Sequence, residues 1–257
     1  MKAKKSLGQN FLKSETALRN IAKAGEIKKE DVILEIGPGK GALTERLLEH
    51  AGLIIAVEKD RELFEFLKIK FAKEINSRSL VLIHGDILKF NIIEVLRQGL
   101  KTYKVIANIP YNITGAILKK FLTENNQPEL MILMVQHDVA KRILARNRKE
   151  SILSISVKMY GEPKIVMKVG ARYFSPTPKV DSAVISIKNI SRKIFQENKL
   201  DENKFWEIVK TGFAHKRKKL SSNLKTLKYI GNSCVDKLGN KRAEDLSLED
   251  WIYLAKT

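Results

Sequence analysis

Apolar residues in this chain fall into short runs of strand length separated by stretches of helical periodicity. Val32–Ile36, Leu53–Glu58, Leu80–His84, 105–108 and Leu130–Gln136 are five such runs. Continuous apolar runs of this length read as strands buried on both faces. Their alternation with helical stretches predicts a mostly parallel sheet covered by helices on both sides. After Gly161 the pattern changes to two strand-like runs, 164–169 and 180–187, separated by Arg172-Tyr-Phe-Ser-Pro-Thr-Pro-Lys179. Two prolines make that spacer a stiff extended loop, and the flanking runs are expected to pair as an antiparallel hairpin at the sheet edge. From Asn189 strand signals stop. A polar linker from Ser191 to Asn203 leads into helical segments at 204–213, 220–227 and 248–254. The expected organisation is α/β, with a domain at 1–188 built on a seven-stranded, mostly parallel sheet and a small all-helical domain at 189–257.

Charge narrows the class of partner. The 257 residues contain 48 Lys and Arg against 29 Asp and Glu, a formal charge of +19, with 44% hydrophobic residues to form a core. Such an excess is the electrostatic footprint of a nucleic-acid binder. The longest apolar stretch, near Leu130, is too short to span a bilayer, and Lys4 and Lys5 are followed by no apolar core of a secretory signal. The lone cysteine, Cys234, excludes an internal disulfide and fits a reducing, cytoplasmic compartment. His50, His84, His137 and His215 lack ligand spacing, so no metal site is expected.

The run from Val32 to Leu43 reads as a strand entering a glycine-rich turn that opens a helix. Gly37, Gly39 and Gly41 allow a sharp turn and close approach of backbone to a ligand. The same turn satisfies the dinucleotide fingerprint as Gly37-x-Gly39-x-x-Ala42. Glu58 ends the next strand, where a ribose-binding acid belongs in either class, so the loop alone leaves both cofactors open. Asp86, at the end of the third strand, can accept a hydrogen bond from an adenine amine, or can cap a helix. No oxidoreductase acid–base pair is visible nearby. With Asn108 closing the fourth strand over the same carboxyl edge, the balance favours S-adenosylmethionine.

Asn108-Ile-Pro-Tyr111 fits one chemical problem, methylation of the exocyclic amine of adenine. That amine is a poor nucleophile because its lone pair is delocalised into the ring. The Asn108 amide oxygen and the Ile109 carbonyl, exposed beside Pro110, are candidates to accept its two N–H hydrogens, and Tyr111 to stack on an extruded base. An ordinary strand ending in a proline turn is the alternative. Seven strands with a terminal hairpin are the architecture of class I, Rossmann-like methyltransferases.

These strings resemble, over nearly the whole chain, the ribosomal RNA small-subunit adenine dimethyltransferase family. The matching segments are Lys5-Ser-Leu-Gly-Gln-Asn-Phe-Leu12, Glu35-Ile-Gly-Pro-Gly-Lys-Gly41, Val57-Glu-Lys-Asp60, Gly85-Asp86, Asn108-Ile-Pro-Tyr-Asn112, Phe174-Ser-Pro-Thr-Pro-Lys-Val-Asp-Ser182 and Arg242-Ala-Glu-Asp-Leu-Ser247. The resemblance implies that Gln9, Asn10 and Leu12 close over S-adenosylmethionine and that Gly37 contacts its methionine part, with Gly39 in the same turn. It implies that Glu58 binds the ribose, Asp86 with Ile87 the adenine, and Asn108 both cofactor and target. Phe174 would lie opposite Tyr111 around the flipped adenine, or else belong to the hairpin core. The implied substrate is a pair of adjacent adenines in small-subunit rRNA of an assembly intermediate, modified by a monomer. Lys216, Arg217, Lys218 and Lys219, read as the start of a helix, are candidate phosphate contacts. Here the chain departs from the family's paired arginines and later Asn-Asn, having His215, Lys216, Arg217 and Ser221-Ser222, which keeps charge but reduces bidentate geometry. A large-subunit methyltransferase of the macrolide-resistance type and a non-catalytic RNA-binding assembly factor are the competing readings.

Overall fold

The computed structural model describes residues 3–93, 102–227, 237–238 and 240–256; Cys234 lies outside them. The chain divides into two compact units, one of residues 1–140 and 164–190, the other of 141–163 and 191–257.

The first unit is organised by a seven-stranded sheet in the order β4-β3-β2-β5-β6-β9-β7. Five strands run parallel: β2 (Val32–Ile36), β3 (Leu53–Glu58), β4 (Leu80–His84), β5 (Lys104–Asn108) and β6 (Leu130–Gln136). Each apolar run thus becomes a strand: β2, β3, β5 and β6 are buried almost throughout, as strands covered on both faces are, whereas β4 at the sheet edge is only partly covered. The strand β5 begins one residue before its apolar run. Lys104 is buried there because its Nζ reaches the Asp31 carboxylate at 2.6 Å and the carbonyls of Glu26 at 2.9 Å and Gly25 at 3.2 Å. A cation with three oxygen partners is tolerable inside.

The last two strands complete the sheet. β9 (Ser182–Lys188) lies antiparallel to β6, with Leu133 opposite Ile185. β7 (Glu162–Val169) takes the outer position, and its burial alternates residue by residue as an edge strand's should. A second, two-stranded sheet was not legible beforehand. β1 (Phe11–Leu12) pairs antiparallel with β8 (Phe174–Ser175), placing Leu12 opposite Phe174.

In the second unit, α9 (Glu202–Gly212), α10 (Leu220–Leu224) and α11 (Leu248–Ala255) gather around Trp251, which is fully buried. A Cβ at Gly212 would lie 2.5 Å from the Trp251 ring, so the helix can approach only because that residue is glycine. Two expectations change here. The sequence pattern predicts a linker over 191–203, whereas α8 (Lys193–Glu197) forms within it because Phe195 packs against Tyr160 and Phe205, at ring separations of 5.4 and 5.5 Å. A single boundary after residue 188 also misses that 141–163 joins this unit. Tyr160 supplies its aromatic contact, and the backbone of Glu150 bonds that of Glu244 at 2.7 Å.

The central strand β2 carries a carboxylate, Glu35, that is 1% exposed. The Thr44 hydroxyl, from α2 (Ala42–Leu48), donates to its Oε2 at 2.7 Å. Burial pushes this carboxyl from its ordinary 4.5 up to about 8, opposed by the Thr44 bond. Between those values the folded chain holds a proton that the unfolded chain has lost, so Glu35 makes stability fall as pH rises through that window. The span corresponds to at most about 4–5 kcal/mol. Glu35→Gln keeps an acceptor for Thr44 and should flatten the decline when urea unfolding is followed from about pH 5 to about pH 8. A decline as steep as that of the wild type would mean Glu35 is ionised in the folded chain.

Candidate active site

Parallel strands deliver their carboxyl ends to one edge of the sheet, and open α/β folds bind ligands along that edge. The glycine turn after β2, Glu58 at the end of β3, Asp86 after β4 and Asn108 at the end of β5 all border one cleft of about 510 Å³ there. Gln9, Asn10, Leu12, Gly37, Gly39, Ile87, Ile109, Pro110 and Tyr111 border it too. That volume suits a nucleoside-sized ligand.

The glycine turn is shaped by backbone that other residues rarely adopt. Gly37, Gly39 and Gly41 have φ of +63°, +63° and +78°. At Gly37 an added Cβ would meet nothing within 4 Å, so the turn leaves open space where a ligand can touch backbone. At Gly41 the same atom would lie 2.4 Å from the Phe71 ring, which makes glycine obligatory on the packed side.

Glu58 ties this turn to the next one. Its Oε2 accepts the Gly39 N–H at 3.0 Å and its Oε1 the Asp60 N–H at 2.8 Å. Burial raises its pKa, and the amide hydrogen bonds pull it back. Asp86 both caps and pairs. Its Oδ1 accepts the Leu88 N–H at 3.0 Å, starting the turn at 87–89, while Oδ2 faces the Lys59 ammonium at 2.8 Å. The Lys59 bond, followed by the Leu88 bond, holds its carboxyl below the usual range.

The N-terminal segment touches the turns after β2, β3 and β5. Phe11 covers Gly39, where a Cβ would sit 3.1 Å from its ring, and Lys40 lies 5.0 Å from that ring's centre. Gln9 donates to the Asp60 carboxylate at 2.8 Å, and Lys4 reaches the other oxygen of that carboxylate at 2.8 Å. Gly8, at φ +65°, packs so closely on Asn112 that a Cβ would lie 2.9 Å from its amide oxygen. The Asn108 amide nitrogen donates to the Asn10 carbonyl at 3.1 Å. With that nitrogen engaged, Oδ1 is the atom Asn108 has for any donor arriving in the cleft. The Asp60 latch and the Gly8 contact were missed by sequence reasoning. A carboxylate two residues beyond Glu58 reads as an N-cap, which it also is for α3 (Arg61–Lys70).

Tyr111 is half-buried, and its hydroxyl meets that of the fully buried Ser182 at 2.5 Å. Burial raises its pKa. Phe174 must be corrected. It is 1% exposed and belongs to the apolar core with Leu12, Leu18 and Val184, so it offers no face to a base. Its strand partner Leu12 and the β8 pairing turn the ring inward. The basic run also differs from expectation. Lys216, Arg217, Lys218 and Lys219 occupy an exposed turn between α9 and α10, in the second unit, rather than a helix. That turn is held by Asn223, whose buried amide donates to the carbonyls of Gly212 at 2.5 Å and His215 at 3.2 Å. No cluster of His, Cys, Asp and Glu that would hold a metal occurs among the described residues, and none of their helices is long and apolar enough to cross a membrane.

Similarity to known proteins extends over the full length of the chain. The chain is 42% identical, over 99% of itself and 88% of the relative, to the ribosomal RNA small subunit methyltransferase A of Dehalococcoides mccartyi strain CBDB1. Its fold superposes on a dimethyladenosine transferase from Plasmodium falciparum with a TM-score of 0.78, at 26% identity and 95% coverage of both chains. The 23S rRNA methyltransferase ErmE, at 23% identity, a TM-score of 0.74 and coverage of 95% and 97%, shares the fold. The profile of ribosomal RNA adenine dimethylases matches residues 1–257. A family model that matches the whole chain, and a relative 42% identical over 99% of it, show that this chain belongs to the ribosomal RNA adenine dimethylase family.

Proposed function

We propose that the protein transfers methyl groups to the exocyclic amino nitrogen of adjacent adenines in small-subunit rRNA, giving dimethyladenosine during cytoplasmic assembly of that subunit. The observation that carries this is Asn108, whose amide nitrogen is engaged by Asn10 so that its oxygen serves the cleft. S-adenosylmethionine is the cofactor whose chemistry fits, supplying an electrophilic methyl group on a sulfonium. The open backbone at Gly37 and the carboxylates of Glu58 and Asp86 suit its methionine, ribose and adenine parts in turn. Gly39 and Ile87 line the same stretch, with Gln9, Asn10 and Leu12 covering it.

The chain's own residues then have mainly to position. Asn108 Oδ1 and the Ile109 carbonyl accept the two amine hydrogens, so the nitrogen lone pair turns out of the purine plane. Pro110 fixes the direction of that carbonyl, and Tyr111, tethered through Ser182, gives the base a ring to stack on. No strong base is required, because the amine loses its proton only after the new bond to carbon has formed. The exposed Lys59–Asp86 pair costs little to rearrange around a ligand. Lys216, Arg217, Lys218 and Lys219 meet phosphates without reading sequence. The protein acts as a monomer, its basic surface covered by RNA.

Purified small and large subunits supplied with radioactive S-adenosylmethionine test the reading: label is expected in small-subunit rRNA. Label in large-subunit rRNA would instead support a macrolide-resistance type of activity, and RNA binding without label an assembly factor. Asn108→Ala should cut turnover at least tenfold, about 1.4 kcal/mol, with RNA affinity nearly unchanged; a smaller loss contradicts its acceptor role. Calorimetry should find S-adenosylmethionine bound more weakly by Glu58→Ala and by Asp86→Ala, and undiminished affinity in either would make that carboxylate structural. Changing the four residues of the 216–219 turn to Gln should weaken subunit binding and lower its dependence on salt. A salt slope equal to the wild type's would make the turn a solubilising surface.

A further inference from the structure

Tyr173 faces solvent where its neighbour Phe174 does not. The two side chains point to opposite environments, Phe174 into the core at 1% exposure and Tyr173 outward at 38%. Its backbone is fixed from several sides. Tyr173 closes a single 3-10 turn, Ala171–Tyr173, whose first N–H is held by the Asp181 carboxylate at 3.0 Å. The Tyr173 N–H donates to the Gly170 carbonyl at 3.1 Å, and its own carbonyl accepts the Lys13 N–H at 2.8 Å. The ring is set as firmly. The Arg172 guanidinium carbon lies 5.0 Å from the ring centre and an Arg172 nitrogen donates to the tyrosine hydroxyl at 3.1 Å. A Cβ on Gly170 would touch the ring edge at 3.8 Å, so even that side is close to backbone.

A rigid, exposed aromatic with a guanidinium against it, on a loop stiffened by Pro176 and Pro178, is the chemistry that holds an unstacked nucleobase. Its place in the fold says which base. Lys13 and Ser175 both border the cleft, and Ser175 is two extended residues from Tyr173, about 7 Å along the chain. Exposed Lys13, Arg172 and Lys179 add positive charge for the phosphates. We infer that Tyr173, with Arg172, is a stacking platform for the nucleotide next to the target adenine. This rests on the proposed adenine-methylating function and adds a second base-binding position to it.

The test uses the full chain and a short RNA hairpin with two adjacent adenines in its loop, carrying fluorescent 2-aminopurine in place of either loop neighbour of the target. Wild type should quench that fluorophore on binding. Tyr173→Ala should abolish the quenching at one neighbour and weaken hairpin binding about 5- to 100-fold, whereas Tyr173→Phe and Tyr173→Trp should retain both. In methyl transfer to the unlabelled hairpin, Tyr173→Ala should raise KM for RNA far more than it lowers kcat, with an unaltered circular dichroism melt. Equal quenching and equal KM in Tyr173→Ala and wild type overturn the inference. So does weaker binding of Tyr173→Ala to intact subunits with unchanged binding to the hairpin, which would assign the ring to a ribosomal protein. The function itself fails separately: wild type that binds and quenches the hairpin but transfers no methyl group to purified small subunits refutes the enzymatic reading and leaves the platform standing.

Discussion

The hydrogen bond from the Gly39 amide to the Glu58 carboxylate is the constraint on which the cleft depends. It joins the turn after one strand to the end of the next, and the second carboxylate oxygen extends the tie to Asp60. Three glycines at positive φ make the turn tight enough to present an amide there, and the buried end of β3 holds the carboxylate still. A carboxylate so placed would be a liability without donors. Two backbone amides supply them, and they come from the loops that a ligand must meet.

From this tie the rest of the site follows by contact. The N-terminal segment lies in order because Leu12 joins the core and five residues before it find specific partners: Lys4 and Gln9 at Asp60, Gly8 at Asn112, Asn10 at Asn108, Phe11 at Gly39. The short pairing of β1 with β8 then carries the segment across to the loop before β9. The turns that border the cleft are thereby tied to one another through the N-terminal segment. Orienting the Asn108 amide depends on a residue almost a hundred positions earlier in the chain.

The distribution of charge divides the labour. The chain as a whole carries +19, with basic residues on exposed turns such as 216–219 and around Arg172. Glu58, Asp60 and Asp86 gather instead at the ends of the parallel strands. A positive exterior draws in polyanionic RNA at long range, while carboxylates at short range act as oriented acceptors, and only the former is screened appreciably by salt.

Local patterns were enough to read the sheet architecture and which strand ends border the cleft. Five apolar runs of strand length, separated by helical stretches, read as parallel strands, and parallel strands bring Gly37, Glu58, Asp86 and Asn108 to one edge whatever the packing details. These are local patterns acting through a fixed topology. What tertiary structure decided lies where the outcome depends on a distant partner. Lys104 opens a buried strand because Asp31 and the Gly25 and Glu26 carbonyls receive it. Phe195 makes a helix of an expected linker because Tyr160 awaits it, and with Tyr160 the segment 141–163 joins the second unit. Between Tyr173 and Phe174, adjacent aromatics on one loop, composition offers no choice. The pairing of Leu12 with Phe174 drives one ring into the core, while Tyr173, the last residue of the preceding 3-10 turn, keeps its ring in solvent.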